Sequence, residues 1–222
     1  KQKCIEIGLK PLTSNFYQAY SYPAYAMEEE CRISVNDHIL IPAKEYLICN
    51  FSSSINKDNI PILYTDIKTM ADSLQYFVEK HKSYIGECMI YISNNAKLSK
   101  DEKKILHSLK KVNPFGSMGI IIGQKTLPMV SVSNYPENYN SALIYAIDTL
   151  FDSKPSKISI SFSNQLVNHN TQNVCAFIEG SEVKDSFIVF TAHYDHVGQM
   201  GKDVYFPGAH DNASGVAAVL DI

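Results

Sequence analysis

No apolar run in this sequence approaches the roughly 20 residues a helix needs to cross a bilayer, and no block of basic residues stands anywhere along it. The first absence leaves no candidate membrane-spanning helix. The second, with a formal net charge of −3, gives no reason to expect a nucleic acid or an anionic membrane as partner. Cysteines are scattered and odd in number (Cys4, Cys31, Cys49, Cys88, Cys175), with none at the C-x-x-C spacing of a metal cluster or a thioredoxin-type site. They read as small buried hydrophobes and leave the redox compartment open. No signal peptide is visible. What is present is ordinary globular material: 45% hydrophobic and 19% charged over 222 residues, with apolar content enough for a core in one domain or two.

The chain is organised around residues 187–215. Phe187-Ile188-Val189-Phe190 is an unbroken apolar run that ends in Thr191-Ala192 and delivers His193 and Asp195. A run without polar alternation predicts a strand buried on both faces, in the middle of a parallel sheet flanked by helices. Side chains alternate along a strand, so His193 and Asp195 would share one side while Tyr194 points away. Ligands of open α/β sheets gather at the carboxyl ends of such strands, where this pair would sit. Further on, Pro207-Gly208-Ala209-His210-Asp211-Asn212-Ala213-Ser214-Gly215 leads into Val216-Ala217-Ala218-Val219-Leu220. The small residues at 213–215 let a helix begin close to something at its amino end, with Asp211 at its mouth. Taken singly, the H-x-D reads as a surface or hydrogen-bonded pair, and D-N-A-S-G as a helix start with Asp capping the first turn. In the order strand, ligand, loop, ligand, helix they read as a metal site. His196 and His210 beside them read as solvated or hydrogen-bonded.

On H-Y-D at 193–195 and G-A-H-D-N-A-S-G at 208–215, the sequence resembles the co-catalytic di-zinc aminopeptidase family, of the secreted bacterial aminopeptidase and glutamate carboxypeptidase II type. The resemblance implies that His193 binds one zinc, that Asp211 bridges two zinc ions, that Asp195 accepts the other ring N–H of His193, and that the Asp211–Asn212 peptide is cis. The chemistry agrees. A neutral imidazole suits zinc, a carboxylate behind it fixes its tautomer, and a bridging carboxylate holds two cations about 3.5–4 Å apart over one water. The implied activity is that of a zinc metallopeptidase removing amino-terminal residues from a peptide substrate, in a secreted, periplasmic or cell-envelope setting. The same resemblance implies a pair of glutamates, one of them the general base, and a later aspartate and histidine, all beyond Ile222. The chain by itself is therefore expected to be inactive, as the amino-terminal part of such an enzyme. The alternative is a non-catalytic binding or scaffold member of the same superfamily. Retention of His193, Asp195 and Asp211 favours the enzyme.

The fold class expected is α/β: a mixed, mostly parallel sheet with flanking helices, an incomplete zinc-peptidase fold carrying an inserted α+β domain that resembles the protease-associated domain. Residues 1–31 and 154–222 would form the partial catalytic domain and 32–153 the insert. Lys1–Ile7 reads as the last turn of a helix with Gly8 at C′ and Pro11 beyond, which suggests a trimmed chain. Phe16–Tyr22 reads as an edge strand bounded by Pro23. Within the insert, strands are expected at Arg32–Val35, Tyr46–Cys49, Cys88–Ser93, Gly119–Ile122 and Met129–Val132. Asp66 opens a helix with Ile67, Met70, Ala71, Leu74, Phe77 and Val78 on its apolar face, and Ser99–Glu102 is a capping box opening another through Ile105, Leu106, Leu109 and Val112. Both stripes read as core. His38, His81 and His107 read as solvated. Asn140–Phe151 reads as a helix, Lys157–Ser163 as an alternating edge strand, and Asn173–Ile178 as the strand before the metal-bearing one.

Overall fold

Four stretches with β-branched and aromatic residues but almost no charge, at 60–65, 89–93, 119–123 and 142–147, set the architecture, because each can be buried on both faces. The computed structural model describes residues 1–27, 29–94, 98–129, 139–183, 185–202 and 204–222. In chain order the regular elements are α1 (Gln2–Glu6), β1 (Lys10–Pro11), β2 (Tyr17–Ala26), β3 (Arg32–Val35), β4 (His38–Ile39), β5 (Tyr46–Ile48), β6 (Ile55–Asp66), α2 (Ile67–His81), β7 (Met89–Ser93), α3 (Lys100–Ser108), β8 (Gly119–Gln124) and β9 (Ala142–Ile147). They continue with β10 (Lys157–Phe162), β11 (Gln165–Val174), β12 (Ala176–Phe177), β13 (Gly198–Met200), β14 (Val204–Phe206) and α4 (Ser214–Asp221). The chain divides into two units: Lys1–Ala24, Val167–Gly198 and Phe206–Ile222 in one, Tyr25–Leu166 and Gln199–Tyr205 in the other.

The second unit is built on an eight-stranded sheet in the order β4-β3-β10-β6-β7-β8-β9-β5. The junctions β6–β7, β7–β8 and β8–β9 are parallel, whereas β4–β3, β3–β10, β10–β6 and β9–β5 are antiparallel. The expectation of a mostly parallel sheet is thus corrected: the sheet is mixed, and antiparallel junctions are the more numerous. The parallel junctions β6–β7 and β7–β8 arise where α2 and α3 supply the long crossovers that parallel pairing demands. Of the antiparallel junctions, β3–β4 is a short hairpin, whereas β3–β10, β10–β6 and β9–β5 pair strands distant in sequence. Asn36 and Asp37 between β3 and β4 both have positive φ, 48° and 63°, as a two-residue hairpin of the primed kind requires.

Local chemistry explains the helices. Asp66 caps α2 by accepting the Thr69 N–H at 2.8 Å. Ser99 and Glu102 form the reciprocal capping box at the start of α3. Ile67, Met70 and Leu109 are buried, while Leu74, Phe77, Val78, Ile105 and Leu106 are half-buried and Val112 is exposed. The two stripes therefore reach the core only in part.

Three further expectations are corrected. Asn140–Phe151 is not a helix: β9 pairs in register with β8 from Gly119↔Ala142 to Gln124↔Ile147, followed by a 3₁₀ turn at Asp148–Phe151. A run buried on both faces reads the same in helix and strand, and the long-range pairing decided it. Lys157–Phe162 has the expected alternation of burial but is no edge, since β3 and β6 flank it. Pro23 does not end β2, which continues to Ala26. A two-stranded ribbon leaves one side of each strand without a ladder, and proline is tolerated there. Of the proposed strand Met129–Val132, Met129 lies outside regular structure and 130–132 outside the described residues.

The first unit holds α1, the ladders β1–β12 and β2–β11, and α4. The α1 terminus is a Schellman motif as read from Gly8: its φ is +82°, Gly8 N–H meets Ile5 C=O at 3.1 Å and Leu9 N–H meets Cys4 C=O at 2.9 Å. Phe187–Ala192 contradicts the buried-strand reading. It forms no ladder, and Phe187, Ile188, Val189 and Phe190 are 75%, 87%, 76% and 56% exposed. A strand exists only through hydrogen-bonded neighbours, and none of the described residues pairs with this run.

Candidate metal centre

Two short segments of the first unit carry the site. In the first, His193 follows the apolar run directly, and its ring nitrogen Nδ1 lies 2.9 Å from the main-chain oxygen of Asp195, two residues on. The Asp195 carboxylate is farther, with Oδ1 at 3.6 Å from the same nitrogen. The brace on the ring is thus chiefly the carbonyl of Asp195 rather than its carboxylate, the group expected to receive the ring N–H. Either acceptor fixes the same tautomer, with the proton on Nδ1 and Nε2 turned outward to bind.

In the second segment, a wide turn at Ala209–Ala213 is closed by Ala213 N–H to Gly208 C=O at 3.0 Å. The peptide between Asp211 and Asn212 is cis, as the resemblance implies. Asn212, not Asp211, serves the helix start, its side-chain oxygen accepting the Gly215 N–H at 3.1 Å. Gly215 must be glycine here, because a Cβ would collide with the Asn212 amide. Since the cap is supplied by the neighbouring residue, the Asp211 carboxylate is available for another partner. That partner is His193: Asp211 Oδ1 lies 3.0 Å from His193 Nε2.

The structure therefore brings His193, Asp195 and Asp211 together, with the imidazole between an oxygen on each side. All three are open to solvent, with side-chain exposures of 52%, 79% and 71%. The hydrogen bond to the Asp195 carbonyl raises the His193 pKa above its usual value, helped by the charges of Asp211 and Asp195. Asp195 also reaches Tyr22, whose phenol is pushed up first by burial and then by that charge.

His196 is hydrogen-bonded through Nδ1 to the Phe206 carbonyl at 2.8 Å, bracing the loop between the two segments. Gly208 packs against it, and a Cβ there would lie 2.7 Å from both His196 Cβ and the Asp211 carbonyl oxygen. His210 is exposed, and its carbonyl receives the Ser214 hydroxyl at 2.8 Å. Asn212 is the residue that sequence reasoning missed. D-N-A-S-G offers two capping candidates in succession, and only the geometry shows which of them caps.

The donor set suits a divalent cation of the zinc type, namely an imidazole nitrogen of fixed tautomer and a carboxylate oxygen converging on one point. Among the described residues no cluster of three or more His, Cys, Asp or Glu side chains is arranged to hold a metal ion. These residues fit zinc as part of a ligand set.

Residues 173–222 match the profile of Peptidase family M28. Among solved structures, an aminopeptidase from Aneurinibacillus sp. strain AM-1 shares the fold at a TM-score of 0.55 and 18% identity, over 99% of this chain and 50% of that one. A peptidase M28 precursor from Shewanella amazonensis SB2B aligns at a TM-score of 0.41 and 13% identity, over 77% of this chain and 41% of that one. The chain thus spans about half the length of the aminopeptidase it matches. No curated protein matches it.

Proposed function

From the family-level link to the M28 peptidases carried by residues 173–222, we propose that this chain is part of a zinc-dependent metallo-aminopeptidase acting on the amino-terminal bond of a peptide substrate. The observation that carries the reading is the 3.0 Å approach of His193 Nε2 to Asp211 Oδ1, with Nδ1 already held from behind. His193 would hold one zinc ion and Asp211 would bridge two, with Asp195 supporting the ring. When bound, zinc supplies polarisation of the scissile carbonyl and a water acidic enough to attack it near neutral pH.

The protein's own contribution is orientation and proton control. The Asp195 carbonyl keeps the Nδ1 proton in place, so the lone pair that can bind a cation is on Nε2. In the metal-free state a hydrogen bond from Nε2 to Asp211 requires a proton on Nε2 as well, which agrees with the raised pKa of His193. That proton occupies the place of the cation. Zinc and proton compete for Nε2, so zinc affinity rises with pH by about tenfold per unit until His193 is neutral. By analogy with the family, the full protein works outside the cytoplasm, in the secreted, periplasmic or envelope setting.

The test is titration calorimetry of the 222-residue chain with zinc chloride between pH 5.5 and 8. Binding is weak, since zinc ordinarily takes three or four protein ligands. It disappears in His193→Ala and falls at least tenfold in Asp211→Asn. Asp195→Asn changes it less than about threefold, because the main-chain carbonyl remains; loss of a carboxylate that alone braced the ring would cost about 10–100-fold. The chain alone releases no amino-acid p-nitroanilide. Equal zinc binding by the parent chain and His193→Ala would remove the basis of the proposal.

A further inference from the structure

No block of basic residues stands in the sequence, yet the fold assembles one. Residues 100–111, KDEKKILHSLKK, cover α3 and the turn after it, and no more than two lysines are adjacent there. Lys110 N–H to His107 C=O at 3.2 Å and Lys111 N–H to Ser108 C=O at 2.9 Å carry the winding past the helix end. At about 100° per residue, Lys100, Lys103, Lys104, His107, Lys110 and Lys111 fall within an arc of about 120°. Every one of them is exposed. Ile105 and Leu109 lie on the opposite side, half-buried and buried, so the packing of that side fixes the basic stripe outward.

The neighbouring carboxylates do not cancel the stripe. Asp101 pairs with Lys104 at 2.8 Å, but the two side chains are 85% and 78% exposed, and such a pair is weak in water. Glu102 is engaged by the Ser99 cap. Asp72 and Glu79 of α2 line a groove on the Ile105 and Leu109 side of α3, and Glu79 has its own partner in Lys82 at 3.5 Å. Lys110 lies 5.9 Å from the centre of the Tyr145 ring, a contact that leaves its charge in place. Among the described residues Lys100, Lys103 and Lys111 make no ion pair. Five lysines against two carboxylates give residues 100–111 a charge of +3, in a chain whose total is −3. The rest of the chain therefore carries −6, and attraction to a polyanion concentrates on this face.

Composition selects the kind of polyanion. Phosphate recognition in nucleic acids and phosphopeptides draws on the planar fork of arginine, and single-stranded bases stack on aromatic rings. The one arginine of the chain, Arg32, is on β3, and the stripe has no Phe, Tyr or Trp. Lysines alone are flexible point charges, suited to a plane of many mobile negative headgroups, where each lysine near the surface strengthens association about fivefold. We propose that the α3 lysine stripe docks the protein on an anionic phospholipid surface, with the helix lying flat and its apolar side kept within the protein. The contact is electrostatic, without insertion, and does not depend on the metal-centre reading.

The test is co-sedimentation of the full 222-residue chain with vesicles of phosphatidylglycerol and phosphatidylcholine in equal parts, and with vesicles of phosphatidylcholine alone. At low salt the chain is expected to bind the anionic vesicles saturably, and at least about tenfold more strongly than the neutral ones. Raising the salt from about 0.01 to about 0.15 M shortens the screening length from about 30 to about 8 Å and should weaken that binding at least about tenfold. Lys100→Gln, Lys103→Gln and Lys111→Gln together should weaken it at least about thirtyfold. The same loss of charge elsewhere in the unit, by Lys44→Gln, Lys57→Gln and Lys157→Gln together, should change it less than about threefold. The substituted positions are all exposed, so both variants keep the parent circular dichroism spectrum. If the stripe variant is unfolded, acetylation footprinting of the parent chain decides in its place: anionic vesicles must shield Lys100, Lys103 and Lys111 and leave Lys44, Lys57 and Lys157 reactive. Equal binding to neutral and anionic vesicles, binding to neither, or equal losses in the two triple variants overturns the proposal. So does tighter binding of a single-stranded oligonucleotide than of anionic vesicles at equal phosphate concentration, since nucleic acid would then be the partner.

Discussion

Two apolar runs of similar composition meet opposite fates in this chain. Ile120, Ile121 and Ile122 in β8 are fully buried, whereas Phe187, Ile188, Val189 and Phe190 lie 56–87% exposed. Local preference does not separate them, since both are β-branched or aromatic and both would suit a strand. The difference is in neighbours. β8 has β7 along one side and β9 along the other, each in parallel register, so its backbone groups are satisfied and its side chains meet packed faces. The run at 187–190 finds no such ladder among the described residues. Apolar patterning therefore reports a capacity to be buried, and the burial itself depends on what lies alongside.

The largest effect is expected in the sheet. Ile121→Ala removes side-chain volume from a site with no exposure and is expected to cost about 2–5 kcal/mol in urea unfolding. Ile188→Ala, at 87% exposure, should stay within about 0.5 kcal/mol. Similar losses for the two would mean that the 187–190 run is buried in solution, and the contrast would fail.

A smaller effect sharpens the same contrast between polar pairs. Tyr91 donates its hydroxyl to Asp148 Oδ1 inside the second unit, and Asp148 is only 5% exposed. The phenol is held strongly in its protonated form by burial first and by that hydrogen bond next. Gly123 sits against the pair, where any Cβ would collide with it. Tyr91→Phe keeps the ring stacked on Phe151, with centroids 4.5 Å apart, and leaves a buried carboxylate without its donor. The expected cost is about 1–3 kcal/mol. His193 and Asp211 are exposed by comparison, so His193→Ala should leave the unfolding midpoint nearly unchanged while abolishing zinc binding. One pair serves stability and the other function, and the two measurements tell them apart.

What the sequence disclosed divides along similar lines. Features fixed by a few adjacent residues were legible: the Gly8 helix terminus, the Asp66 cap, the Ser99–Glu102 box and the strand Arg32–Val35 all stand where local chemistry places them. Features fixed by distant pairing were not. The segment 142–147 looks the same as helix or strand until β8 is beside it, and the twelve residues of β6 are broken up by Asn56, Lys57, Asp58, Asn59 and Pro61, which hide a strand held by β10 and β7. At the candidate site, residue types and spacing showed which side chains would meet. They could not show that the Asp195 carbonyl rather than its carboxylate would hold the ring, or that Asn212 would release Asp211 from capping, because both depend on backbone geometry.

The smallest effect tests whether the legible features act as locally as they read. At the start of α3, Ser99 Oγ accepts the Glu102 N–H at 3.2 Å and the Glu102 carboxylate accepts the Ser99 N–H at 2.6 Å. Ser99→Ala should cost about 1 kcal/mol of stability, less than either core substitution, because only one helix end loses a partner. The Glu102 carboxyl is held below its usual pKa by the hydrogen bonds from the Ser99 main chain and side chain. A carboxylate depressed in the folded state stabilises it above the unfolded pKa of about 4.3, and the contribution fades as pH falls through the lower folded value. Ser99→Ala removes the hydroxyl's share of that stabilisation and leaves the main-chain N–H on the carboxylate, so the part of its penalty that comes through Glu102 should fade as the pH is taken from 6 to 3, while the part from the lost Oγ acceptor remains. A penalty that stayed constant across that range would show the Ser99 hydroxyl acting only as acceptor of the Glu102 N–H, with no support for the Glu102 carboxylate.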